Sequence, residues 1–219
     1  MKMLRQWCRA GLCSVLWLPG LALALEVGLV TGLSGTVTLS VPAQTESRTL
    51  QVFSKLHEGD RLILPEKTSL QLVLFNSGEE QVWQGPGELQ VHRSGITAQD
   101  AALQPQVRQL PKLLVKQLAK TPAPDAQVKA GMVRLRSMPS GGTLESVEKN
   151  YAQLREAAMA TDRNPELYLL AGYFELREFE LLQQVLTRME KESPGDKEVA
   201  LLRSLYARAV NNAKMAAEP

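Results

Sequence analysis

The sequence predicts a segregated α+β protein: a small antiparallel β-sandwich or roll, followed by an array of α-helical hairpins. Two observations carry this. From Val27 to about Thr97 apolar residues alternate with polar ones, and from Thr143 onward they recur every three or four residues. A third is the punctuation of the first half by clusters of glycine, asparagine, aspartate and proline at regular intervals.

The strands come first. Val37, Leu39 and Val41 alternate with Thr36, Thr38 and Ser40, as a strand with one buried face requires. Leu50-Gln51-Val52, Arg61 to Leu64, Leu70 to Phe75, Val82-Trp83 and Leu89-Gln90-Val91 continue the series. Turn formers separate them: Gly32 to Gly35, Glu58-Gly59-Asp60, Asn76-Ser77-Gly78 and Gly85-Pro86-Gly87. Residues 25–100 are expected to form this β domain.

Residues 101–142 read as a linker with mixed signals. Val107, Leu110, Leu114 and Leu118 fall at helical spacing, with Pro111 tolerated only near a helix start. Thr121-Pro122-Ala123-Pro124 ends that helix. Gly131 to Ser137 alternates again and suggests a late strand returning to the sheet, before a hinge at Pro139 to Gly142.

The helical domain is expected over 143–212. Thr143 supplies an N-cap, and Leu144, Val147, Tyr151, Leu154 and Ala158 form the first apolar stripe. Asn164-Pro165 opens a second helix carrying Leu167, Leu170, Tyr173 and Phe174, since proline is accommodated in the first turn. Phe179 to Met189 makes a third, Ser193 to Asp196 breaks it, and Val199 to Val210 makes a fourth. The tail is expected to fray from Asn211, with 213–219 disordered.

Residues 1–24 read as an export signal. Lys2, Arg5 and Arg9 precede an apolar run from Leu12 to Leu25, and Ala22-Leu23-Ala24 offers small residues for cleavage after Ala24. The run falls short of the ~20 residues a spanning helix needs, although an uncleaved anchor is the alternative. Cys13 follows Leu12, not the small residue that lipid modification requires. Cleavage would remove both cysteines, Cys8 and Cys13, leaving no disulfide chemistry. It would also turn 25 basic residues against 23 acidic into 22 against 23, because Lys2, Arg5 and Arg9 leave. A net charge near −1 gives no reason to expect nucleic acid as a partner.

The β-rich part resembles the FecR domain, an extracytoplasmic module of bacterial iron-signalling regulators. The residues behind this are Gly35 to Leu39, Leu56 to Leu62 with its Gly59-Asp60, Thr68 to Leu72, Asn76-Ser77-Gly78 and Gly85 to Val91. Asn76-Ser77-Gly78 stands where the family shows Asp-Gly-Ser, and Leu64-Pro65-Glu66 where a Thr-Gly is usual. The resemblance implies contact with partner proteins. The helical part is similar to tetratricopeptide repeats, through Leu169 to Phe174 in a first helix and Phe179, Leu182, Leu186, Met189 and Pro194 around a second. That resemblance implies stacked hairpins with a concave face.

Candidate chemistry is sparse. His57 and His92 are the two histidines, and neither sits in a recognised triad pattern, so turn or surface roles are expected for both. His57, Glu58 and Asp60 include metal-compatible side chains without a recognised ligand spacing. Gly28, Gly32 and Gly35 lie in a strand–turn context and form no phosphate loop. No catalytic residue, cofactor or metal site is therefore assigned. The candidate binding residues are Trp83, as a core anchor or partner contact, and Arg108, Lys112, Lys116 and Lys120, which a helix would place on one face. Taken with the resemblances, the expectation is a periplasmic or secreted, non-enzymatic adaptor with a protein partner in the bacterial envelope. The alternative is a module binding cell-wall polysaccharide or another polyanion, and a hydrolase is least favoured.

Overall fold

A computed structural model describes residues 25–42, 47–124 and 142–216. The expected export signal, the late strand at Gly131 to Ser137 and the last residues of the tail lie outside them. The described chain is segregated α+β, with two five-stranded antiparallel sheets followed by helices.

One sheet contains β1 (Glu26–Ser34), β4 (Lys55–His57), β6 (Ser69–Leu74), β7 (Glu79–Gln84) and β10 (Gln106–Gln109), in the order β10-β7-β6-β1-β4. The other contains β2 (Thr38–Ser40), β3 (Arg48–Thr49), β5 (Arg61–Leu64), β8 (Gly87–His92) and β9 (Gly95–Ala98), in the order β3-β2-β5-β8-β9. Alternation decides which side chains fill the space between the sheets. Leu70, Leu72 and Leu74 of β6 face Leu39, Leu62, Leu64, Leu89 and Val91 of the opposite sheet, while Ile63 on the outer face of β5 is 44 % exposed. Trp83 belongs to this interior at 3 % exposure, with its indole N–H donating to Gln81 Oε1 at 3.1 Å.

Strand β1 has a break in phase that matters for the rest of the molecule. Its pairing register slips near Val27 and again near Thr31. A bulge of this kind moves a side chain to the other face. Val27 and Val30 thus point between the sheets, whereas Leu29 points outward and joins a second apolar cluster. Val73 of β6 does the same, so the first sheet is apolar on both faces.

Helices cover that outer face. They are α1 (Lys112–Leu118), α2 (Leu144–Ala157), α3 (Asn164–Glu175), α4 (Phe179–Glu192) and α5 (Lys197–Met215). Leu114, Val115 and Leu118 of α1, which packs on α3, share one apolar cluster with Leu29, Phe53 and Val73 of the β part and with Leu167, Leu170, Leu182, Leu186 and Tyr206 of the helices. Thr143 Oγ1 caps α2 by accepting from the Ser146 amide at 3.2 Å. Asp196 caps α5, accepting from Glu198 and Val199 amides at 2.8 and 3.3 Å. Gly172 lets α3 approach α2 closely: a Cβ there would stand 2.6 Å from Val147 Cγ1.

Four expectations are corrected. Val107 and Arg108 lie in strand β10, paired with Gln81 and Glu80, and the helix starts only after Pro111. Pro111 itself has extended backbone (φ −59°, ψ 135°), which no helix passes through. Residues 101–124 are therefore part of the folded body, not a linker. Leu50-Gln51-Val52 is a connection instead of a strand; Leu50 and Val52 are nevertheless buried. Helix α5 does not fray at Asn211 but continues to Met215, because Val210 and Ala213 remain buried on its inner face.

Candidate functional site

The functional question falls on the seam where the helical layer meets the first sheet. Glu80 is at its centre. Its position on β7 faces the helices, opposite to Trp83, and its side chain is 5 % exposed. Oε1 accepts from Gln71 Nε2 at 2.8 Å and from Asn164 Nδ2 at 2.6 Å; Oε2 accepts from Arg108 Nε at 2.7 Å. The carboxylate is thus compensated by three donors drawn from β6, β10 and α3, as a buried charge must be. Arg108 extends the chain by donating to Asp162 Oδ2 at 2.6 Å. Asp162 Oδ1 in turn accepts from the Asn164 amide at 2.9 Å, at the start of α3. Burial alone pulls the Arg108 guanidinium down, but the Asp162 hydrogen bond and the charges of Glu80 and Asp162 outweigh it and hold it above its ordinary value.

This node floors a polar cleft of about 660 Å³ between β10 and the α2–α3 and α4–α5 connections. Arg163 closes one side, bound to Asp196 and to Glu198 at 2.8 Å. Exposed Val107 and Met159 line it as well. Thr31 Oγ1, in the wall, is buried with no hydrogen-bond partner. With both Glu80 oxygens engaged by donors from β6, β10 and α3, the arrangement fixes the geometry of the seam.

A second cleft, about 810 Å³, opens beside α1. The β6–β7 turn, α1 and the first half of α2 form its walls. Gly78 makes that turn possible: it holds φ at +73°, donates to Leu74 O at 3.0 Å and accepts from the Leu110 amide at 2.9 Å. Phe75, Leu113 and Val115 supply apolar surface, and Lys112, Lys116 and Lys120 stand along one side. Lys120 binds Glu175 Oε1 at 2.6 Å. Lys112 and Lys116 are exposed and have no acidic partner among the described residues. At the far end of α1, Lys55 from β4 donates to Ala119 O and to Glu26 Oε2 at 2.6 Å. A buried cation at a helix C-terminus is favourably placed against the helix dipole.

The candidate binding residues are therefore divided by the fold. Trp83 is interior and presents no surface to a partner. Arg108 is on a strand and faces the polar cleft, so the expected four-residue stripe is not a single helix face. Lys112, Lys116 and Lys120 do gather, around the second cleft. Sequence reasoning missed Glu80, Asp162, Arg163 and Lys55; the available signal was an acid on the face of β7 opposite Trp83.

The histidines are peripheral to both clefts. The His57 amide donates to Asp60 Oδ2 at 2.8 Å, closing the β4–β5 turn, while the imidazole Nδ1 is 3.9 Å from the same oxygen. His92 Nε2 is 2.9 Å from Thr97 Oγ1 across the β8–β9 hairpin. Among the described residues no three His, Cys, Asp or Glu side chains are grouped to hold a metal ion, and no helix is long and apolar enough to cross a membrane.

The class defined by this geometry is a β-sandwich capped on one sheet by a helical array. No family model matches the sequence, and no curated protein matches it. A solved structure described as a cell surface anchoring domain is similar over 32 % of this chain and 90 % of its own, at 18 % identity and a TM-score of 0.29. A likeness that slight carries no argument about fold or activity.

Proposed function

We propose that this chain is an exported, non-enzymatic interaction protein of the bacterial envelope, with a FecR-like β part and a tetratricopeptide-like helical part. The observation that carries the reading is the seam: sheet and helices share one apolar cluster and the Glu80 node, and two open clefts with charged walls lie along it. A rigid body of this kind presents pre-organised docking surfaces, which lowers the entropic cost of association. The basic start, apolar run and Ala22-Leu23-Ala24 support export. The Gly59-Asp60 and Asn76-Ser77-Gly78 turns and the helical stripes of Leu169 to Met189 support the two module resemblances.

The polyanion reading is weaker, because Trp83 is interior and Arg108 is held by Glu80 and Asp162. A photo-crosslinking amino acid placed at Leu113, at Met159 and, as a control, at Ile63 tests the proposal in living cells. Recurrent capture of the same protein at a seam position and not at Ile63 is expected, from chains whose N-terminus begins at Leu25. Equal capture at Ile63, or chains retaining Met1 in the cytosolic fraction, overturns it.

A further inference from the structure

The groove beside α1 combines features that select a ligand chemistry. Leu113 is 45 % exposed between Lys112 and the groove's other apolar surfaces, Phe75 and Val115. Lys112 and Lys116 are one helical turn apart, about 6 Å along the axis, and have no acid to neutralise them among the described residues. In the wall, Gln117 Oε1 is buried and accepts no hydrogen bond. We infer that this groove binds an acidic peptide segment of a partner protein, with apolar side chains seated on Phe75, Leu113 and Val115 and carboxylates on Lys112 and Lys116. The inference rests on the interaction reading above and names the partner's chemistry.

Each feature excludes an alternative. An extended segment places same-face side chains roughly 6.6 Å apart, so acids at alternate positions match the two ammonium groups. A sugar-acid polymer would satisfy the lysines but leave the apolar floor wet. An anionic lipid bears its charge at one end of its acyl chains, whereas an extended peptide alternates acids with apolar side chains along its length, beside Lys112, Lys116 and the apolar floor. The chain's own residues 125–141 carry Lys129, Arg134 and Arg136 against Asp125 alone, the wrong sign for this site. A cleft of about 810 Å³ has room for several side chains, within the ~300–1,000 Å³ span of binding pockets.

The test uses the intact protein purified from the cells that make it. A fluorescein-labelled peptide alternating glutamate with leucine is titrated against it by anisotropy, beside the same peptide with glutamine for glutamate. The glutamate peptide is expected to bind, more weakly as salt rises, and at least about tenfold better than the glutamine control. The paired substitution Lys112→Glu with Lys116→Glu should weaken it about tenfold or more while the thermal melt stays unchanged, since both side chains are exposed. Lys112→Gln with Lys116→Gln should give an intermediate loss.

Equal affinity for the two peptides, or binding untouched by the lysine substitutions, overturns the inference. So does binding to phosphatidylglycerol vesicles or heparin in place of the peptide. Self-association lost on lysine substitution would assign the groove to a second copy and also overturns it. A protein captured at Met159 in cells with no peptide binding at α1 would sink this inference and leave the interaction reading standing.

Discussion

Glu80 shows how one residue sets the relation between two layers. Its partners come from Gln71, Arg108 and Asn164, the last of these 84 positions away in sequence. Glu80→Ala strands these donors; a loss of about 2–4 kcal/mol in a denaturant titration is expected, with Arg108 partly rescued by water because it is half exposed. Tyrosines set a different limit. Burial, then the hydrogen bond to Glu148, pushes the Tyr173 hydroxyl up to about 12, and burial pushes fully enclosed Tyr206 up as well. Unfolded tyrosines ionise near 10, so the folded chain holds more protons above that pH. Stability is fully present below about pH 10 and falls as pH climbs toward the folded values. A denaturant midpoint that declines across this window is expected, and Tyr206→Phe should flatten the decline. The Tyr206 hydroxyl has Thr121 as its polar neighbour but no hydrogen bond of good geometry, so the same substitution should cost little at neutral pH.

At the scale of elements, α2 and α3 are matched by a single small residue. A helix interior ordinarily gains about 1 kcal/mol when glycine becomes alanine. At Gly172 the new methyl would press on Val147 Cγ1, and buried overpacking costs roughly 1–3 kcal/mol. Gly172→Ala should therefore lower the melting temperature, and adding Val147→Ala should cost less than Val147→Ala does in the native background. Elements with a long period were legible in the sequence: the helix starts at Thr143 and Asn164-Pro165, and strands around Leu70 to Leu74, follow from spacing and punctuation. Strand β10 was not. Val107 falls in helical phase with Leu110, Leu114 and Leu118, and four exposed residues give alternation nothing to register. What makes Gln106–Gln109 a strand is the partner edge at Glu79–Val82, a non-local cause. The same holds for the site: Lys112, Lys116 and Lys120 were visible as a stripe, but not that Arg108 leaves it for Glu80, because charge spacing carries no information about pairing across layers.

For the whole molecule, the bulge in β1 near Val27 has the widest reach. By turning Leu29 outward beside Val73 and beneath α1, it makes the first sheet apolar on its outer side as well as between the sheets. The helical half then has no complete interior of its own, and the β half, although filled between its sheets, is left with an apolar outer face when the helices are gone. Heating should give one transition, with calorimetric and van't Hoff enthalpies in agreement, despite the change from strands to helices along the chain. A polypeptide severed anywhere between Pro124 and Gly142 would behave accordingly. Its pieces would act as the two subunits of an obligate heterodimer, each precipitating when made alone and each rescuing the other when co-expressed.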